Sequence, residues 1–216
     1  MKKKIIALCL VVCLLSIAIS GTLAYLTDTH AQKNTFAVGN VDITLDEAVV
    51  EKNADGDLVA KGSERTSAAQ EYHLYPAMTV VKDPTITVTG TENAWVAAKI
   101  VITGDLTGLK DANGNLLVNN GTLNYGALLS DWTTGATIEQ EDGTNVCTIY
   151  VFIDAQQAKG ATITLFKTLS IPETWNNTEM AQFKNVEINV TAYAVQTNGF
   201  ADCEAAMKAA FSTEFQ

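Results

Sequence analysis

Three residue types in this chain could do chemistry at a defined site. They are two histidines, four cysteines and three tryptophans. A zinc site needs several nitrogen, sulfur or carboxylate donors converging on one point. His30 and His73 stand far apart, and no helix motif of two histidines flanking a glutamate occurs. They read as two unrelated polar residues. No serine sits in a Gly-x-Ser-x-Gly elbow, and no glycine loop is built to cradle phosphate. A thiol nucleophile would have to pair Cys147 or Cys203 with His73. Cys147, however, falls on the apolar parity of an alternating run, which predicts burial rather than reactivity. The turns Asn53-Ala54-Asp55-Gly56-Asp57 and Asp111-Ala112-Asn113-Gly114-Asn115 have half the look of a calcium loop. The closing glutamate is missing, so tight turns are expected. Trp95, Trp132 and Trp175 could stack on a sugar, but they equally suit a core and its rim. Ile171-Pro172-Glu173-Thr174-Trp175 has only a faint likeness to a sortase signal and reads as a loop between strands. The residues therefore predict no catalytic site, no metal site and no cofactor.

The N-terminus carries a different kind of signal. Lys2, Lys3 and Lys4 precede an apolar run from Ile5 to Ile19, followed by the small residues Ser20, Gly21, Thr22 and Ala24. That order describes a secretory signal, expected over residues 1–24 with cleavage between Ala24 and Tyr25. A retained signal anchor is the rival reading. Cys9 and Cys13 are apolar filler within that segment, and Val12 before Cys13 argues against a lipoprotein. Loss of Lys2, Lys3 and Lys4 leaves 11 basic side chains against 24 acidic ones, a net charge of about −13. Such a chain has little to offer nucleic-acid phosphates or an anionic membrane surface. Membrane contact is expected only before cleavage. Of the cysteines only Cys147 and Cys203 remain, and spacing leaves open whether they form a disulfide or stay as two buried thiols.

Beyond residue 34 the pattern has period two. Val41, Ile43 and Leu45 alternate with Asp42, Thr44 and Asp46; Ile86 and Val88 alternate with threonines. Val96, Ala98, Ile100 and Ile102 follow, then Cys147, Ile149, Val151 and Ile153, then Ile163 and Leu165, then Val186, Ile188 and Val190. One-sided alternation marks strands with one buried and one solvated face. Asp55-Gly56, Asn113-Gly114 and Asp142-Gly143 supply hairpin turns, so residues 49–61 and 106–119 are each expected to fold as two short strands. Residues 120–145 lack a period and predict a loop-rich excursion with a short helix near residues 125–130. Ala205, Met207 and Ala209 at helical spacing behind Asp202 predict a terminal helix over residues 201–211. The fold class is all-β: a jelly-roll-like antiparallel β-sandwich with a short C-terminal helix, one domain over residues 25–216.

Several blocks point to a family. Gly21-Thr22-Leu23-Ala24-Tyr25-Leu26-Thr27-Asp28 and Asn34-Thr35-Phe36-Ala37-Val38-Gly39-Asn40-Val41-Asp42-Ile43 resemble the signal–mature junction of the TasA/camelysin family. Leu74-Tyr75-Pro76-Ala77-Met78, Asp83-Pro84, Asn93-Ala94-Trp95-Val96, Val190-Thr191-Ala192-Tyr193-Ala194-Val195-Gln196 and Gly199-Phe200 continue the likeness, which thins over residues 104–145. The resemblance implies cleavage by a SipW-type signal peptidase after Ala24. It implies a secreted bacterial jelly roll that polymerises into fibres of the biofilm matrix or cell surface. It implies assembly by strand donation, with residues 25–36 completing a neighbour's sheet. Tyr25, Leu26, Thr27, Asp28, Thr35 and Phe36 are the donor residues so implied. The implied partners are further copies of the chain, the peptidase and an accessory matrix protein. Residues 25–36 are polar and weakly patterned, which suits pairing to an outside edge; a disordered tail is the plainer reading. Some relatives carry a metalloprotease label, to which this sequence lends no metal-ligand cluster. The expected function is thus a structural fibre subunit. The alternatives are a camelysin-like secreted metalloprotease and a monomeric extracellular glycan-binding module.

Overall fold

The alternating runs become strands wherever β-branched residues occupy one parity and hydrogen-bonding residues the other. A computed structural model describes residues 39–142 and 145–216. The signal segment, the Ala24–Tyr25 cleavage site, His30 and the donor segment of residues 25–36 lie outside the described residues. In chain order the elements begin with β1 (Ile43–Lys52), β2 (Leu58–Thr66), β3 (Thr79–Val81), β4 (Thr85–Val88) and β5 (Ala94–Thr103). Next come β6 (Val118–Asn119), β7 (Thr122–Leu123), α1 (Tyr125–Leu128), β8 (Leu129–Ser130), β9 (Ala136–Asp142) and β10 (Val146–Ile153). The chain continues through β11 (Thr162–Thr164), β12 (Thr168–Ser170), α2 (Asn177–Phe183), β13 (Glu187–Gln196) and α3 (Cys203–Ala210).

These strands build two main sheets. One runs β11-β4-β1-β2-β3-β12-β8 and the other β13-β5-β10-β9, with β6-β7 as a small ribbon. Pairing is antiparallel except for a single parallel contact of Leu58 with Val80. The sheets face each other across one core. Ile86 and Val88 come from the first sheet, and Val96, Ala98, Ile100, Ile102, Cys147, Ile149 and Val151 from the second. Those are the parities that the sequence pattern assigned inward. Each fully buried Ile or Val of this set contributes about 1.5–3 kcal/mol of transfer free energy. The expected all-β sandwich with a short C-terminal helix is the observed architecture.

The second sheet is buried on both faces near its middle, which one-sided alternation did not anticipate. Trp95, Ala97 and Phe152 point away from the central core into a second cluster with Cys203, Ala206, Met207 and Phe215. The helix α3 supplies that cover. Asp202 caps it, its Oδ1 accepting from the Ala205 N–H at 2.8 Å, as Asp at this position should. The tail beyond α3 is pinned by the Lys99–Glu214 ion pair at 2.9 Å and by Phe215 against Tyr150, Phe152 and Tyr193.

Two local expectations need correction. Residues 106–119 fold back on a turn as expected, but the pairing is short: one Lys110–Leu116 bridge flanked by the Asp111–Asn115 and Leu117–Leu109 backbone bonds, rather than two full strands. There the Asp111 Oδ1 accepts from the Asn113 and Asn115 amides, and Leu106, Leu109 and Leu117 are buried. Side-chain bonding thus supplements a short backbone ladder. Residues 120–145 are not mainly loop. The short helix ends at Leu128, Leu129–Ser130 is extended, and Ala136–Asp142 is a seven-residue strand. β9 escapes a hydrophobic reading because it is an edge strand. Thr137, Glu139 and Glu141 face solvent, and the Gln140 amide donates to Leu123 O at 2.7 Å instead of packing.

Candidate functional site

A fibre subunit of the expected kind needs a sheet edge that can accept a strand, and the two sheets offer four: β11, β8, β13 and β9. β8 has two residues and β11 three, too short to register a donor. β9 is flanked by β7 and bonded to it through Gln140. β13 has ten residues, about 33 Å of strand at the usual rise. No described strand pairs with its second side.

The direction of each peptide group along β13 follows from its register. Glu187 pairs with Thr103 through to Gln196 with Ala94, without a shift. One step further, the Thr197 N–H donates to Asn93 O at 3.3 Å. Bonding alternates along an antiparallel pair. The odd-numbered residues of β13 therefore bond to β5. Ile188, Val190, Ala192 and Ala194 turn their N–H and C=O groups to the outer edge, while their side chains pack against the core.

A polar clasp stiffens the opposite sheet. β1 shifts register between Ala48 and Val50, and charged groups close around that bulge. Arg65 bonds both Asp46 and Asp83, with Nη1 2.9 Å from Asp83 Oδ2. Burial works against the Arg65 charge, but the hydrogen bonds it donates to Asp83 and Asp46 raise its pKa. Asp83 also accepts the Ala48 N–H at 2.7 Å. Beside it, Lys82 pairs with Glu47, which accepts from the Tyr72 hydroxyl at 3.2 Å and the Gln70 amide at 3.1 Å. Burial, reinforced by Glu47, pushes the Tyr72 phenol up. Pro84 O accepts the Leu165 N–H, tying β4 to β11. Asp83 and Pro84 thus hold the fold together. Tyr75-Pro76-Ala77-Met78 is likewise a turn, with Ala77 at φ 66° and the Tyr75 hydroxyl donating to Gly56 O at the β1–β2 tip.

Most of the other residues singled out by chemistry serve the fold. Asn53 accepts the Asp55 and Asp57 amides, and Asp57 Oδ1 accepts the Thr79 N–H, so that acidic turn spends its oxygens on its own backbone. Trp95 and Trp175 are buried, and Trp175 Nε1 donates to Lys110 O at 2.6 Å. Trp132 is half-buried against Tyr125 and Phe166. Cys147 lies in the central core and Cys203 in the outer cluster, on opposite faces of one sheet. The Cys203 thiol donates to Val96 O, and burial pushes its pKa up to about 11. His73 is exposed. Among the described residues no group of three or more His, Cys, Asp or Glu side chains could hold a metal ion. No described helix is long and apolar enough to cross a membrane.

Sequence reasoning missed two elements that had readable signals. Asn176-x-x-Glu179 is a capping box, with both reciprocal bonds formed, and it starts α2. Asn120-Gly121, at φ 51° and 77°, is the hairpin dipeptide between β6 and β7.

Against known proteins, the chain matches one family model, described as camelysin metallo-endopeptidase, over residues 1–64. That segment holds the residues read above as a signal–mature junction, β1 and most of β2, and it supports the resemblance to the TasA/camelysin family. No curated protein matches the chain.

Proposed function

Taking the camelysin-family match of the N-terminal segment as premise, we propose that this protein is a secreted structural subunit of an extracellular fibre. Residues 25–36 of one copy add a strand to β13 of the next. One observation carries the reading: a ten-residue edge whose outward peptide groups have no partner among the described strands. An unpaired edge of that length invites pairing with another chain, although β1 of the same domain runs close beside it. A twelve-residue polar segment matches its length, and main-chain bonds would supply the affinity. Donation from one copy to the next is head-to-tail, so the contacts continue as a filament. The mature charge of about −13 keeps subunits soluble until they register. Copies of the chain, a SipW-type signal peptidase and an accessory matrix protein are the partners this reading calls for.

The name of the matching family speaks of a metallo-endopeptidase. A peptidase metal would need a converging donor set, and the described residues do not supply one. We read the chain as non-catalytic. Proteolysis of casein by the purified protein, abolished by chelator, would reverse that.

A peptide of residues 25–38 tests the pairing at residue level. Added to a chain beginning at Gly39, whose fold is first verified by its far-ultraviolet dichroism and melting temperature, it should slow amide exchange at Ile188, Val190, Ala192 and Ala194. The expected slowing is about tenfold or more, because an open edge amide becomes a ladder amide. Unchanged exchange at these four, or protection centred on β9 or β11, contradicts the proposed edge.

A further inference from the structure

A cleft of about 380 Å³ opens beside β11, between it, the 131–134 segment and the end of β10, and the fibre reading makes no use of it. Its size lies within the range of ligand pockets. It is lined by Asp131, Trp132, Gln157, Thr162, Thr164 and Lys167. Three separate chain segments bring these groups together. The Thr133 N–H donates to Leu165 O at 3.0 Å and its hydroxyl to Thr164 O, which fixes the 131–134 wall against the strand. Gln157 is held by reciprocal backbone bonds with Ala94. Phe166 backs the Trp132 ring, with centroids 5.5 Å apart.

Two features mark the cleft as more than a surface dent. Asp131 sits at φ 59°, the left-handed region that a residue with a Cβ enters at a cost of about 1–3 kcal/mol. Such strain persists where the surroundings impose it, and it collects at binding sites. Trp132 lines the cleft while its Nε1 is buried without a hydrogen-bond partner, as is that of Trp95 in the outer cluster, so the indole offers a ligand apolar contact rather than a hydrogen bond.

The lining also specifies a ligand class. It combines an indole, threonine hydroxyls, a primary amide, one carboxylate and one ammonium, so its formal charge cancels. A strongly acidic protein repels anions, which disfavours acidic polymers. Mixed donors and acceptors beside an aromatic wall suit a neutral polyhydroxylated ring. We propose that this cleft binds a neutral saccharide unit of an extracellular polysaccharide, with Asp131, Gln157 and Lys167 bonding its hydroxyls and Trp132 flanking the ring. The site would let a fibre subunit hold glycan at the same time, since no residue of β13 lines the cleft.

The test follows tryptophan fluorescence of residues 25–216 titrated with chitotetraose, with maltotetraose and, as the anionic comparison, with polygalacturonate. A saturable change with at least one neutral probe is expected, and it disappears in Trp132→Phe because Trp95 and Trp175 are buried elsewhere. Asp131→Gly should bind about tenfold more weakly, the effect of losing one good hydrogen bond. Its melting temperature should hold or rise, because glycine accepts the left-handed backbone without strain. Three results overturn the proposal. One is the lack of a saturable change with either neutral probe. Another is an unaltered affinity in Asp131→Gly. The third is a response confined to polygalacturonate.

Discussion

Ala192→Pro abolishes filament formation and leaves a folded monomer. The reasoning is positional. Ala192 belongs to the set of β13 residues whose N–H faces the outer edge, as the Thr197–Asn93 bond fixes the alternation. Proline has no N–H to donate, but at this position its own sheet asks for none. The Ala192 side chain packs on the core and is small, so the ring adds volume and a φ constraint costing about 1–3 kcal/mol. An incoming strand, by contrast, loses a central ladder bond and meets a ring that blocks its register. Thr191→Pro is the matched control. The Thr191 N–H faces β5 opposite Lys99, so proline there breaks the domain's own ladder. Its monomer should be the less stable of the two by about 1–3 kcal/mol, the cost of leaving buried groups unpaired. Urea denaturation and sedimentation of both variants separate the effects. Filaments of normal length from Ala192→Pro would place the acceptor on another edge.

Phe166→Ala has the largest expected effect on stability, about 3–5 kcal/mol. Phe166 is fully buried in the central core and its ring supports Trp132. Truncation removes the transfer free energy of the ring and leaves a cavity that the two sheets cannot collapse to fill. A domain of this kind has about 5–15 kcal/mol in total, so the variant should unfold at a clearly lower denaturant concentration with an unchanged slope. A loss under about 1 kcal/mol would mean that the core repacks, contrary to the interlocked arrangement described above.

Much of the fold was legible because its long strands alternate. The runs at Val96–Ile102, Cys147–Ile153 and Ile188–Val190 put one parity in the core, and the strands β5, β10 and β13 formed on them. The Asp202 cap and the alanine-rich spacing behind it gave α3. What stayed hidden was set by tertiary partners. β9 is polar along its outward parity and is held by backbone pairing with β10, so its residues carry little periodic signal. β3, β8, β11 and β12 span two or three residues each, below the length at which alternation can be recognised. Trp95 and Ala97 break one-sided alternation because α3 covers them, and no local pattern in β5 announces a helix more than a hundred residues away.

The candidate site was legible in a different way. The donor residues Tyr25, Leu26, Thr27, Asp28, Thr35 and Phe36 came from a family likeness, not from their own chemistry, and they lie outside the described residues. The acceptor edge was not readable at all. Whether β13 ends a sheet depends on which strands pair, and its sequence alternates as an internal strand's would. The saccharide cleft joins residues 131–134, 153–157 and 162–167, which only the folded chain brings together.

Electron microscopy of residues 25–216 beside a chain beginning at Gly39 tests the central claim most directly. Both should fold, since every described strand and helix lies beyond Gly39 and is common to the two. Strand donation predicts filaments from the first and isolated particles from the second, with the shorter chain staying as particles at higher concentration. Filaments from both chains would contradict donation through residues 25–36, and isolated particles from both across a range of pH and concentration would contradict the fibre itself.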